Sequence, residues 1–252
     1  MAGAQVGQRL KLGVVLGFML VLGFICPAPA WAIAPQLEQD ILEVIAKHPE
    51  AVANSLSSYY QEQTLNQGLD QVKQDIPGFL AGSPTRGNAK PRVWLVEFAD
   101  FECSFCIQAH QPILDLMDKH PDVSFVFKQL PLPQIHEQAV PAARVAWAAG
   151  QQGKFWQAYD QLFSQAELGD GAYQTIARDL RLNMTQFERD RNGVRADQAI
   201  ATDGVWATRL GVTGTPSFVL LSETGAQLIR GADLAQIESG LQQLAVKQRG
   251  DL

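Results

Sequence analysis

Two cysteines three residues apart are the clearest candidates for chemistry in this sequence. Cys103 and Cys106 follow an apolar stretch after a short loop and open a segment of helical pattern, the context in which a CxxC pair carries redox chemistry. A thiol at a helix N-terminus meets unpaired backbone N–H groups and the positive end of the helix dipole, so we expect a lowered pKa for Cys103. Cys106, one turn further along, could then attack a mixed disulfide at Cys103 and release the product.

Two other interpretations of the cysteine pair stay open. A closed structural disulfide would enclose only two residues, and it would add little stability because that stabilisation grows with the length of the loop. A metal site is the second alternative, since Cys103, Cys106 and His110 share one helix face. Copper(I) at the two thiolates fits this set best, whereas a closed zinc site needs a fourth ligand. We predict neither a bound metal nor a cofactor.

Glu97 is the third candidate, because an acid in an apolar strand needs an explanation. It lies six residues before Cys103 and shares a strand face with Val93 and Leu95. On a central strand covered on both sides, burial would raise the pKa of the carboxyl group. Such a carboxyl group could accept the proton of Cys106 and later return it. The alternative is an edge strand on which Glu97 faces water.

The elements that would position these residues have an α/β pattern. Apolar runs at residues 93–99 and 123–129, with a helix-length segment between them, predict a β-α-β unit with parallel strands. Helical patterns fill about residues 134–210. A hairpin over residues 217–230 and an amphipathic helix complete the chain. The turn before the hairpin contains Thr215-Pro216, and its spacing alone predicts a trans bond, since most X-Pro bonds are trans.

The sequence of the N-terminal third predicts a signal peptide, a helical arm and a linker. Residues 1–32 combine basic residues, an apolar run over 12–25 and the small-x-small site Ala30-Trp31-Ala32, which is the pattern of a secretory signal peptide. Residues 33–76 predict a helical arm, and residues 77–89, rich in Pro, Gly and Ser, predict a linker. The narrow apolar stripes of the arm could pack on their own domain or on a second copy of the chain through residues 35–76.

Composition and charge favour an exported globular protein. The 252 residues are 46% hydrophobic and 18% charged, which excludes disordered and collagen-like classes. The net charge of −6 makes nucleic acid an unfavourable partner. Removal of residues 1–32 would leave Cys103 and Cys106 as the only cysteines, in an oxidising compartment where such a pair is oxidised or cycles. We expect a periplasm or an equivalent exported lumen, with a soluble chain after cleavage near Ala32; a retained anchor is the weaker interpretation.

Together these motifs resemble the DsbA-type thiol:disulfide oxidoreductases, which have a thioredoxin fold with a helical insertion. The resemblance covers about residues 90–247 and places the thioredoxin-like domain at residues 90–252, with the insertion at about 134–210. It rests on Glu97 with Cys103-Ser104-Phe105-Cys106, on Gly153-Lys154-Phe155-Trp156 with Leu162-Phe163, and on Gly211-Val212-Thr213-Gly214-Thr215-Pro216-Ser217-Phe218.

The resemblance implies a role for each site residue. Pro216 would be cis and face the cysteine pair, with the backbone of Thr215 pairing an extended substrate strand. Glu97 would be the buried proton acceptor, and Lys128 on the neighbouring strand its charge partner.

The implied activity is disulfide formation in exported proteins that are reduced or wrongly oxidised. A membrane quinone-linked thiol oxidase, of the DsbB or the vitamin K epoxide reductase type, would recharge the protein. The alternatives are a disulfide reductase or isomerase of the same fold, and a metal-binding protein or chaperone without redox activity.

The dipeptide between the cysteines departs from the family pattern. Strong oxidants carry Pro-His there, and the histidine helps to hold the thiolate, whereas Ser104 and Phe105 supply no cation. We therefore predict a redox potential between those of thioredoxin and the strongest oxidants, about −270 to −120 mV.

Overall fold

A computed structural model describes residues 35–250, with the side chains of residues 37–246. The segment predicted as a signal peptide lies outside the described residues. The chain divides into two compact units, one up to Ala53 and one from Asn54 onwards. No described helix is both long enough and apolar enough to cross a membrane.

A five-stranded mixed sheet forms the centre of the second unit. Its strands are β1 (Thr85–Gly87), β2 (Val93–Ala99), β3 (Val123–Gln129), β4 (Ser217–Ser222) and β5 (Gly225–Arg230). Their spatial order is β1-β3-β2-β4-β5, with β2 parallel to β3 and the other neighbouring pairs antiparallel. β2 and β3 are rich in β-branched and aromatic residues and are buried on both faces, as expected of central strands. The predicted β-α-β unit and the hairpin are both present.

The part of the chain that the structure describes contains ten helices. They are α1 (Pro35–Lys47), α2 (Pro49–Gln74), α3 (Ile76–Leu80), α4 (Ser104–Lys119), α5 (Ala139–Gly150), α6 (Phe155–Phe163), α7 (Asp170–Asp179), α8 (Met184–Arg191), α9 (Val194–Arg209) and α10 (Leu234–Gly250). One apolar layer joins the sheet to α4, α10 and the helices α5 to α8; the other joins it to α3, α9 and the end of α2. The predicted α/β fold with an inserted helical block and N-terminal helices is confirmed.

The prediction of a linker over residues 77–89 is corrected by two short elements. Helix α3 is capped by the side chain of Asp75, which accepts a hydrogen bond from Gly78 N–H at 2.9 Å, and its Phe79 is fully buried. Strand β1 then pairs antiparallel with β3. The composition correctly predicted turns in this segment. It could not predict β1, because this strand forms by hydrogen bonds to the edge of β3, which exists only in the folded sheet.

The helical arm divides differently from the prediction. The second and third apolar stretches form one continuous helix, α2, and its end belongs to the core of the second unit, where Val72 is fully buried. Gly68 makes this contact possible, because a Cβ there would lie 2.2 Å from the carbonyl oxygen of Arg209. This part of the arm therefore packs on its own domain.

Candidate active site at the start of helix α4

Cys103 is the N-cap residue of α4, with an extended backbone (φ −71°, ψ 119°). Its N–H donates to the carbonyl oxygen of Asp100 at 3.1 Å, which closes a tight turn between β2 and the helix. The Cys103 thiol lies 3.4 Å from the carbonyl oxygen of Thr215, 112 residues further along the chain. Both cysteines are free thiols. The fold therefore joins the CxxC motif to the Thr215-Pro216 turn.

The pKa of Cys103 is lowered to about 5, chiefly by a hydrogen bond from the Cys106 thiol. Burial opposes this effect, whereas the side chain of Thr215 and the backbone N–H groups of Phe105 and Cys106 add to it. The direction agrees with the prediction from the helix N-terminus, but the largest contribution comes from the second cysteine. Cys103 is thus a thiolate at neutral pH.

Cys106 has the opposite environment. It lies fully buried in the first turn of α4. Burial raises the pKa of its thiol strongly, and the hydrogen bond to Cys103 and the charge of Glu97 raise it further. Any reaction in which Cys106 becomes a nucleophile therefore needs a nearby proton acceptor.

Glu97 lies on β2 between β3 and β4, so the edge-strand alternative is wrong. Its side chain is buried, and burial raises the pKa of the carboxyl group from its ordinary value of 4.5 to about 8. A hydrogen bond from Tyr159 (3.4 Å) and the charge of Arg86 lower that pKa in part. The burial and the raised pKa of Glu97 agree with the expectation, and its role as the proton acceptor of Cys106 stays a prediction.

The resemblance implied Lys128 as the charge partner of Glu97, and the sheet register corrects this. Glu97 is paired with Phe127, whereas Lys128 is paired with Phe98, so the two charged side chains project to opposite faces. The ammonium group of Lys128 lies 2.8 Å from Asp203 on helix α9. Lys128 therefore stabilises the opposite layer.

Arg86 is the cation on the face of Glu97, and sequence reasoning missed it. It lies on β1, within the stretch interpreted as a linker, and its guanidinium stacks over Trp156 (4.4 Å) and Tyr159 (5.4 Å). Tyr159 in turn donates to Glu97. No periodicity in a three-residue strand could have indicated this role.

The Thr215-Pro216 peptide bond is cis, as the resemblance implied. Pro216 lines a groove of about 600 Å³ between α4 and the start of β4. Its walls include Phe105, Ala109, Pro112, Arg230 and Leu234. The groove is mostly apolar, and it includes Thr215, whose carbonyl oxygen contacts the Cys103 thiol. Such a groove could hold an extended polypeptide; the substrate-pairing role of Thr215 stays a prediction.

His110 lies one turn below Cys106. Its Nε2 is 3.1 Å from a carboxylate oxygen of Asp160, and its ring packs against Tyr159 and Phe163. Among the described residues, no group of three or more His, Cys, Asp or Glu side chains is arranged to hold a metal ion.

The loop before α5 brings one further group to the site. Oδ2 of Asp100 lies 2.8 Å from Nδ1 of His136 and accepts a hydrogen bond from Leu132 N–H at 2.9 Å. The carboxylate of Glu102 accepts one from Gln138 N–H. Sequence reasoning missed these contacts; the two acids just before Cys103 were the available signal.

A family model described as thioredoxin matches residues 80–234, more than half of the chain, including Glu97, both cysteines and Pro216. The chain belongs to the thioredoxin family.

Solved structures place it near the oxidoreductases of this family. A thioredoxin-like oxidoreductase from Silicibacter pomeroyi is 30% identical, with a TM-score of 0.60 over 67% of this chain and 95% of that one. DsbA2 from Pseudomonas aeruginosa is 29% identical, with a TM-score of 0.55 over 64% and 92% of the two chains. ScsC from Proteus mirabilis, at 17% identity, shares the fold, with a TM-score of 0.60 over 84% and 96%. The resemblance to DsbA-type enzymes is confirmed.

Curated relatives match only part of the chain. The Na(+)/H(+) antiporter NhaA 1 of Salinispora arenicola is 36% identical over 134 residues, which is 53% of this chain and 21% of the antiporter. A similar antiporter from Salinispora tropica is 37% identical over the same length. The matched segment thus spans about a fifth of the length of these antiporters, and the antiporter name belongs to them.

Proposed function

We propose that this protein is an exported thiol:disulfide oxidoreductase that forms disulfides in secreted proteins. The observation that carries the proposal is the contrast between two thiols one helical turn apart. The pKa of Cys103 is lowered to about 5, whereas burial raises that of Cys106. A stabilised thiolate at the first cysteine favours the reduced form of the pair, and such a protein oxidises its partners.

The reaction begins with the Cys103–Cys106 disulfide. A substrate thiolate attacks Sγ of Cys103, the S–S bond breaks, and Cys106 leaves with the electron pair and takes a proton from Glu97. A second substrate thiolate then attacks the substrate sulfur of the mixed disulfide and releases the Cys103 thiolate. The substrate has lost two electrons and gained a disulfide, and the cysteine pair holds those electrons.

Glu97 makes the buried step possible. Cys106 changes its protonation state in an apolar layer, where an isolated thiolate would be costly. A carboxyl group with a pKa of about 8 can give its proton to Cys106 during oxidation of the substrate and accept it again when the disulfide re-forms.

A membrane quinone-linked thiol oxidase, of the DsbB or the vitamin K epoxide reductase type, is the proposed acceptor of those electrons. Exposed apolar side chains suit docking of such a protein: Phe105 in the first turn of α4 is 67% exposed, and Ile135 in the loop before α5 is 72% exposed. Export is supported by the signal-peptide pattern at residues 1–32. A structural relative from Salmonella enterica, which shares the fold at 24% identity, is named as periplasmic.

The equilibrium redox potential against glutathione tests the direction of the reaction. We expect a value above about −200 mV, in the range of protein disulfide isomerase and DsbA. A value near that of thioredoxin, about −270 mV, would assign the protein as a reductase. Cys103→Ser must abolish oxidation of a reduced peptide; retained oxidation would contradict the assignment of Cys103 as the reactive thiol.

Helix α1 is the proposed contact between copies of the chain. It exposes five large apolar side chains, Leu37, Ile41, Leu42, Val44 and Ile45. The repeat of apolar residues along one helix suits pairing with an identical helix. Light scattering should show an oligomer that dissociates on Ile41→Gln with Ile45→Gln. A monomeric wild type would contradict this interface and leave the redox proposal intact.

A further inference from the structure

The loop over residues 130–138 is held against the residues just before Cys103. It joins β3 to α5, and the side chains of Asp100 and Glu102 fix it by hydrogen bonds to Leu132 N–H, His136 and Gln138 N–H. The Asp100 side chain is fully buried, so these bonds are shielded from water. The imidazole of His136 therefore has a defined position in the site.

The imidazole of His136 is hydrogen-bonded to the turn that ends at Cys103. The hydrogen bond from Cys103 N–H to Asp100 O closes a four-residue turn, which places the ends of the turn within about 7 Å of each other. The Asp100 carboxylate is bonded to His136 at 2.8 Å. Asp100 is thus hydrogen-bonded both to the imidazole of His136 and to the backbone of Cys103, although 33 positions separate those two residues in the chain.

The charged groups facing His136 are Asp100 and Glu102 from the turn and Cys103 from α4. Burial lowers the pKa of His136, but the hydrogen bond and charge of Asp100 and the charges of Cys103 and Glu102 raise it above its ordinary value of 6.5 overall. Coupling between two ionisable groups is reciprocal. A thiolate that favours the imidazolium is itself favoured by the imidazolium.

We propose that His136 supplies the positive charge beside Cys103 that the Ser104-Phe105 dipeptide lacks. Without that charge, the buried carboxylate of Asp100 and the half-buried carboxylate of Glu102 would repel the Cys103 thiolate. With it, the thiolate and therefore the reduced form of the pair are stabilised. His136 acts through its charge and its fixed position rather than by contact with substrate.

This inference rests on the proposed function, because it concerns how oxidising the cysteine pair is. The competing candidate is His110, which lies on α4 itself. Its imidazole is engaged by Asp160 and packs between Tyr159 and Phe163, below Cys106 rather than beside the turn that carries Cys103.

The test is the acidity of Cys103 in the reduced full-length protein, measured as the rate of alkylation by iodoacetamide against pH. In His136→Gln, the amide can still donate to Asp100 but carries no charge. We expect the pH midpoint of Cys103 alkylation to rise by about one unit, which corresponds to a tenfold loss of thiolate at acidic pH. The equilibrium with glutathione should shift tenfold towards the disulfide, which corresponds to about 30 mV. The matched control His110→Gln should leave the midpoint unchanged.

Unfolding of both redox forms separates charge from structure. If His136 acts through its charge, His136→Gln should lower the free energy of unfolding of the reduced form more than that of the oxidised form. An equal decrease in both forms would indicate a structural role and would overturn the inference. An unchanged alkylation midpoint, or an equal rise in His110→Gln, would overturn it too. Alkylation requires no disulfide partner, so this result is independent of whether the protein proves to be an oxidase or a reductase.

Discussion

The hydroxyl group of Tyr159 donates a hydrogen bond to Oε2 of Glu97 at 3.4 Å, inside the apolar layer that also contains Cys106. The rings of Phe127, Phe155 and Trp156 pack around Tyr159 and limit the access of water. The hydroxyl group bonded to the acid is itself neutral, and burial raises the pKa of Glu97 to about 8 although the charge of Arg86 opposes this rise. In this surrounding the carboxyl group of Glu97 can take up and release a proton close to neutral pH.

Glu97→Gln should slow the reverse of the first reaction step, in which Cys106 attacks the mixed disulfide at Cys103 and expels the substrate thiolate. The amide preserves the shape of the side chain but cannot accept the proton of Cys106 when Cys106 attacks. We expect a loss of about 100-fold in the rate of this step, measured by stopped-flow with a cysteine-containing peptide. A rate equal to that of the wild type would remove Glu97 from the reaction.

The same substitution should stabilise the fold, and by more at higher pH. The pKa of Glu97 rises from 4.5 to about 8 on folding, so the wild type loses stability as the pH increases between these values. Gln has no such dependence. At pH 7 the gain of Glu97→Gln should be roughly 3 kcal/mol, and near pH 4 it should vanish. Urea unfolding at the two pH values measures it; a gain independent of pH would contradict the assigned pKa.

Cys106→Ala should make Cys103 less acidic. The hydrogen bond from the Cys106 thiol is the largest cause of the lowered pKa of Cys103, and alanine removes the donor. The pH midpoint of alkylation should rise from about 5, whereas Cys106→Ser, which keeps a hydroxyl donor, should shift it less. In the wild-type protein Cys103 should be labelled before Cys106, and the reverse order would contradict the assignment of the two thiols.

Lys128→Met should destabilise the protein without slowing the chemistry. It leaves the buried carboxylate of Asp203 without its partner at 2.8 Å, at a cost of about 3–5 kcal/mol in the free energy of unfolding. Adding Asp203→Asn should recover part of this loss, because the amide oxygen can still accept from Gln129 N–H. Turnover of the folded protein should match the wild type; a slower exchange step would return Lys128 to the site of Glu97.

Phe105→His should raise the redox potential. Phe105 follows the N-cap of α4 by two residues and is largely exposed, so a histidine there places a positive charge near the Cys103 thiolate without disturbing the core. We expect a three- to tenfold shift of the glutathione equilibrium towards the reduced protein, or about 15–30 mV. Phe105→Gln controls for loss of the ring, and an equal shift in that variant would exclude charge as the cause.

Much of the fold was predictable because its signals are local. The apolar runs of β2 and β3, the helix that begins after Cys103 and the hairpin from Ser217 each have a periodicity or turn chemistry of their own. The position of Glu97 on a strand of this kind was enough to predict its burial and the direction of its pKa shift. The CxxC spacing at a strand-to-helix junction similarly predicted which thiol is reactive.

The sequence by itself therefore determined the redox motif, its strand and helix, and the acid beneath it. Tertiary structure alone decided which charges face that site. A shift of one residue in register moves a side chain to the other face of a sheet. The register of β3 places Lys128 on the face of Asp203. Arg86 belongs to β1, which forms only by pairing with β3, and its charge acts on Glu97. Thr215 reaches Cys103 across 112 positions and His136 reaches Asp100 across 36, because hydrogen bonds formed on folding hold these loops in place.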